Sequence, residues 1–279
     1  MNREDELYER ADNPPVAPKR PWYKRMGLGG LVAALLALTK WKTILSFLQG
    51  IFVLFKFSKF GVTTLSMLAT IGIYAWFYGI WWAVGFVLLI AVHESGHMIA
   101  ARQQNIPVTA PVFIPFLGAL IGLKEPPKDA ATESIIAYGG PLFGLLAAAA
   151  VHTAAVAFNS PLLFSLAFTG YFLTLFNLIP ASPLDGGRIA GAVSPYIWFL
   201  GVPLIGLLLW FSFSPILILI LFGAVHRAWE FWQHRSDEYY TVDPVFRLKM
   251  GIAYLALLTV SGLLTYEAHN MAEALRPRL

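Results

Sequence analysis

The apolar positions of this chain fall in long blocks. Three of them carry no Asp, Glu, Lys or Arg: Gly61 to Val92 (32 residues), Ser134 to Leu184 (51) and Ile189 to Val225 (37). One bilayer crossing needs about 20 apolar residues, so each block can hold more than one pass, or a pass and a re-entrant piece. Trp81-Trp82, Asn159-Ser160-Pro161 and Ser214-Pro215 mark the breaks, since paired aromatics favour interfaces and Pro and Asn-Ser interrupt helices. The pattern predicts spans at 61–79, 81–103, 136–158, 161–180, 195–213 and 215–231, with 251–266 as a seventh. The expected fold class is an all-α polytopic membrane protein of six to seven transmembrane helices. Gly27–Thr39 and Thr43–Phe55 are 13 residues each, parted by Lys40 and Lys42. They are short for a span and predict interfacial or re-entrant helices, with a tilted hairpin as the alternative. Residues 105–130, "NIPVTAPVFIPFLGALIGLKEPPKDA", hold β-branched residues, prolines and glycines that predict a small strand or re-entrant element.

Composition strengthens this picture. Hydrophobic residues make up 57 % of the 279 and charged residues 13 %, about half the charge of a soluble domain. Such a chain cannot hide its apolar side chains from water, so lipid is part of its solvent. There is no cysteine, which excludes disulfides and thiolate metal ligands. The first 25 residues mix five acids, six bases and several prolines. They lack the apolar centre of a signal peptide and read as a disordered tail; the near balance of charge argues against a nucleic-acid arm. The expected organisation is a tail (1–25), interfacial or re-entrant helices (26–56), a catalytic transmembrane core (57–190), and further transmembrane helices with a C-terminal tail (191–279). Alternation of the spans puts 16 of the 20 Lys and Arg on the face where span 81–103 ends, which marks that face as cytoplasmic and the protein as one of the cell membrane.

Charges that do enter the apolar blocks therefore call for a reason. His93, Glu94 and His97 are spaced H-E-x-x-H inside "AVHESGH". On a helix, positions i and i+4 share a face, so the two imidazoles can converge on one ion. Glu94 lies about 100° round from His93, where it can meet an ion-bound water without being a ligand. An unpaired carboxylate this deep costs at least about 2.5 kcal/mol, which two packed histidines and an idle glutamate do not account for. With no cysteine, a further ligand must be His, Asp or Glu. Asp185, in "NLIPASPLDGGR", is the only acid between Glu133 and Glu230 and follows a span running toward the same face. Gly186 and Gly187 permit positive φ and close backbone approach, and Pro180 and Pro183 stiffen the turn. His152, deep in span 136–158, reads as a hydrogen-bonded polar residue between helices. His226, His234 and His269 sit at span ends or in loops.

His93-Glu94-Ser95-Gly96-His97 in one span, with Leu184-Asp185-Gly186 at the end of a later one, resembles the site-2 protease family of intramembrane zinc metalloproteases. Asn177 and Pro180 before the Asp, and Gly140-Pro141 in the intervening span, extend the likeness, which covers roughly residues 60–190. The resemblance implies a zinc ion (Zn2+) held by His93, His97 and Asp185, with Glu94 as general base. It implies hydrolysis, by zinc-activated water, of a peptide bond in or near a transmembrane segment of a membrane-protein substrate. The partners expected are that substrate and the lipid bilayer, and not nucleic acid. The stretch Val112 to Leu123 offers a strand edge for an unwound substrate, or plugs the cytoplasmic side of the bundle. Asn177 has an amide suited to a substrate carbonyl or oxyanion, or to a backbone group freed by the prolines. The remaining tryptophans (Trp81, Trp82, Trp198, Trp210, Trp229, Trp232) read mostly as interface anchors or lipid-facing packing. The alternative from another class is a metal or proton transporter, which needs ionisable groups spread through the membrane depth. Here they crowd at one face, with only His152 elsewhere.

Overall fold

Helices account for most of the computed structural model, which describes residues 61–233 and 238–274 together with Ser46 and Gln49. The expected tail and the pair of short helices at 27–55 lie outside the described residues. The elements are α1 (Gly61–Tyr78), α2 (Ile80–Gln103), β1 (Val112–Ile114), β2 (Gly118–Leu120), α3 (Ala130–Phe158), α4 (Pro161–Asn177), α5 (Asp185–Val193), α6 (Trp198–Phe211), α7 (Pro215–Gln233) and α8 (Pro244–Ala274). Among the described residues, α1, α2, α3, α7 and α8 are long and apolar enough to cross a membrane, and α4 and Pro195–Phe211 are shorter apolar helices. The protein is an all-α polytopic membrane protein with a small two-stranded sheet.

Local chemistry sets the helix limits. Gly79 alone joins α1 to α2, at φ 83°, a conformation that an L side chain resists. Asp129 caps α3 by accepting from the Thr132 N–H at 2.7 Å. Ser160 and Pro161 begin α4, and left-handed Asn159 ends the helix before it. Two helices are longer than their apolar windows predict. α8 runs from 244 to 274 where 251–266 was expected, and α3 starts at 130 where 136 was expected. Their ends carry polar residues such as Arg247, Lys249, Glu133 and Glu267, which suit the interface rather than the apolar interior. The outer surface is rich in exposed large apolar groups, including Trp76, Trp81, Phe158, Trp210 and Phe222, as a lipid-facing surface requires.

Between α2 and α3 the chain forms an antiparallel hairpin pairing Val112 with Leu120, Phe113 with Ala119 and Ile114 with Gly118. It lies along α1: Thr63 Oγ1 donates to the Pro111 carbonyl (2.7 Å), the Phe113 N–H to Ser66 Oγ (3.1 Å), and the Phe116 N–H to Tyr74 Oη (2.9 Å). These anchors advance 11 residues along α1, from Thr63 to Tyr74, or about 16 Å at 1.5 Å per residue. The hairpin is thus re-entrant in shape as well as stranded. Its β1 edge is occupied by α1. The Phe113 N–H points away from the ladder, so 113 and 119 are a non-hydrogen-bonded pair and the Ala119 N–H points out from the β2 edge.

The core is held where α3 meets α2, α4 and α5, with α8 packed across α4 and α5. Ala137, Leu178, Ile189, Met250, Tyr254 and Leu257 form one apolar cluster there. The boundary expected at 190 falls inside α5, whose helical hydrogen bonds continue to Val193.

Candidate metal centre

His93 and His97 stand one turn apart on α2, and their shared face turns inward because small residues let α3 come close. A Cβ on Gly96 would overlap the Gly139 carbonyl, and one on Gly139 would crowd the Gly96 carbonyl in return. Gly140 lies against the His97 ring and has no room for a side chain either. Backbone contact of this kind is what glycine supplies at membrane helix crossings. It leaves His93 only 4 % exposed. The His97 ring is oriented by its Nδ1–H, which donates to the Ile136 carbonyl on α3 at 2.8 Å. That fixes the tautomer, so Nε2 presents a lone pair on the other side of the ring.

Asp185 reaches the same point from a distant part of the sequence. α4 stops at Asn177, earlier than the predicted 180, and residues 178–184 make a tight turn onto α5. Asp185 is therefore the first residue of a short buried helix, and not the last of the preceding span. Gly186 and Gly187 are helical, without the positive φ their type permits. Their function is the other one glycine offers, close approach: a Cβ on Gly186 would overlap the carbonyls of Leu178 and Ile179, and one on Gly187 the backbone of Ala181 and Ser182. The turn is braced by Tyr254 of α8, whose hydroxyl donates to the Leu178 carbonyl. Trp198 Nε1 donates to the Gly187 carbonyl at 2.6 Å. Trp198 is thus a buried brace, unlike the lipid-facing tryptophans it was grouped with.

These elements place Asp185 Oδ2 3.2 Å from His93 Nε2 and 3.3 Å from His97 Nε2, with the two nitrogens 3.2 Å apart. With the His97 proton committed to Ile136, a neutral His97 has none to give at Nε2. His97 Nε2 then turns a lone pair to the buried triangle, beside the Asp185 carboxylate, and a cation suits this grouping of donors. Zinc bonds of about 2.0–2.1 Å in tetrahedral directions set their donor atoms about 3.3–3.4 Å apart, which the triangle matches. Donor type fits too, since imidazole and carboxylate are ordinary zinc ligands. Glu94 is half-buried, and one of its oxygens lies within 4.8 Å of both histidine donors, a grouping able to hold a metal ion. Among the described residues, no hydrogen bond or ion pair engages its carboxylate.

Two other candidates stand apart. Asn177 Nδ2 donates to the Leu173 carbonyl one turn back at 3.1 Å, the backbone bond that was one of its two expected uses. His152 Nδ1 meets the Tyr171 hydroxyl at 3.3 Å, a packed polar pair between α3 and α4. No residue type announces the Ile136 carbonyl, but Gly96 inside the motif and Gly139-Gly140 on the next span are a readable signal of a close crossing.

Fold and site together define a multi-pass helical membrane protein with an internal cluster of histidines and carboxylates able to hold a metal ion. Residues 81–160 match the model of peptidase family M50. Relatives include zinc metalloprotease MJ0392 of Methanocaldococcus jannaschii, 33 % identical over 122 residues, which is 41 % of this chain and 35 % of that protein. Putative zinc metalloprotease Rip3 of Mycobacterium tuberculosis is 35 % identical over 135 residues, 44 % of this chain and 32 % of that protein. The chain thus spans about a third of the length of these curated relatives.

Proposed function

We propose that this protein is an intramembrane zinc endopeptidase, which hydrolyses a peptide bond in or near a transmembrane segment of another membrane protein. In this reading His93, His97 and Asp185 hold the zinc and Glu94 is the general base. The observation that carries it is the 3.2–3.3 Å triangle of two imidazole nitrogens and one carboxylate oxygen, brought together from α2 and α5. Bound zinc supplies Lewis acidity, polarising the scissile carbonyl and making a water acidic enough to lose its proton near neutral pH. Glu94, free of other partners and beside both histidines, accepts that proton and passes it to the leaving amine. Asp185 and the two neutral rings leave the centre one positive charge, which keeps it electrophilic.

Water supply and substrate conformation both bear on the reading. His97 lies six residues from the end of α2, about 9 Å along the axis, a depth at which water entering from the cytoplasmic face would supply it in this reading. A peptide bond inside a helix is shielded, so the substrate must unwind locally and pair its backbone elsewhere. The β2 edge, Gly118–Leu120, is suited to this by strand addition, because α1 already occupies the β1 edge. In this reading the second N–H of the Asn177 amide, beside the one donated to the Leu173 carbonyl, serves a substrate carbonyl or oxyanion. A transporter would need a chain of ionisable groups; among the described residues the buried ones are His93, Asp185 and His152, and His152 is paired with Tyr171.

The test compares membrane-protein fragments in cells making the native protein and cells making Glu94→Gln. Loss of specific fragments with zinc still bound is the expected result. Equal fragment patterns would overturn the assignment of Glu94.

A further inference from the structure

The two histidines of the proposed centre differ in how their rings are held. His97 donates from Nδ1 to the Ile136 carbonyl, whereas His93 Nδ1 is buried and meets no hydrogen-bond partner among the described residues. A buried polar group left unpaired is destabilising. His93 must also carry its proton at Nδ1 if Nε2 is to face the triangle as a lone pair. On that side of the ring stands Thr174 of α4, 1 % exposed. The two are parted by Gly144 of α3: a Cβ built there would stand 2.9 Å from His93 Nδ1 and 2.9 Å from Thr174 Oγ1. Any larger residue would fill this space. The Thr174 hydroxyl spends its own proton on the Gly170 carbonyl at 3.0 Å, so what it has left to offer is acceptor capacity, which an Nδ1–H requires.

We infer that Thr174 is the positioning residue of His93: through one water in the space over Gly144, its hydroxyl accepts the hydrogen bond that the His93 Nδ1–H donates. This rests on the zinc reading of the site and adds a residue to it from α4. The hydrogen bond fixes the tautomer and ring plane of His93, as the Ile136 carbonyl does for His97, and makes Nε2 the more basic donor. Partners of this kind are worth about 10- to 100-fold in metal affinity. α4 then contributes to the metal centre without supplying a ligand, which ties the packing of α3 against α4 to metal retention.

The experiment measures zinc affinity of the full chain in detergent micelles, by competition with a chelator, for the native protein, Thr174→Val and Thr174→Ser. Valine keeps the shape and removes the acceptor; serine restores it. The expected result is a loss of about 10- to 100-fold for valine and near-native affinity for serine. Native affinity in the valine variant, or serine as weak as valine, overturns the inference. If the valine variant fails to fold, nitrogen NMR of histidine-labelled native protein decides: a proton on His93 Nδ1 supports the assignment, and a proton on Nε2 overturns it. A native chain that binds no zinc at all would instead overturn the metal-centre reading, so the two failures are distinguishable.

Discussion

Asp185→Ala is expected to lower zinc affinity by at least about 10-fold, since two imidazoles alone do not complete a protein zinc site; zinc content after dialysis against a weak chelator measures it. In the sequence Asp185 stands out as the one acid in nearly a hundred positions, and span parity puts it toward the face where the His93–His97 helix ends. Its contact with both imidazoles is not legible there, because that depends on a seven-residue turn, 178–184, whose path is set by backbone packing around two glycines. Gly140→Ala should have a comparable effect without touching a ligand, because the added methyl overlaps the His97 ring. The Ile136 carbonyl could not be read from the sequence, for every residue has one and only the helix crossing selects it.

At the scale of elements, the helix starts are local events with local consequences. Burial works against the charge of Asp129, but its hydrogen bonds from Thr132 and the nearby Lys128 outweigh this and hold its carboxyl below the usual carboxylate range. A depressed value means the cap is fully formed above an ordinary carboxylate pKa of about 3.9 and is lost as the pH falls through the folded value. Asp129→Ala should cost about 1 kcal/mol of stability at neutral pH, and the difference from native should shrink in acid; thermal unfolding in detergent at both pH values checks it. The hairpin is another element only partly legible. Its prolines and β-branched residues announced strands, yet the choice of free edge came from Thr63 and Ser66, whose hydroxyls look like ordinary filler in an apolar helix. Proline at Ala119 removes the outward N–H of β2, and Ala119→Pro is expected to reduce cleavage several-fold while zinc affinity stays unchanged. Unchanged cleavage would argue against strand addition at β2.

Across the whole molecule, the apolar blocks announced a polytopic bundle, and Trp and Pro breaks located most of its helices. Hydropathy windows were least informative at the ends of α3 and α8, where polar residues continue a helix beyond its apolar centre. They also could not show that α8, far from the motifs in sequence, packs against α4 and α5. Tyr254 is the point of contact that matters. Tyr254→Phe leaves the Leu178 carbonyl without its donor, at about 1–3 kcal/mol, and should weaken zinc binding as well as lower the unfolding temperature.

That brace has a consequence for biogenesis. α8 is the last of the described helices to leave the ribosome, long after the histidines of α2 have entered the bilayer. Until it docks, the loop presenting Asp185 lacks its clamp, so on the proposed reading the newly made chain would not yet hold its metal. Chains stopped before Pro244 should accumulate in membranes without holding their metal.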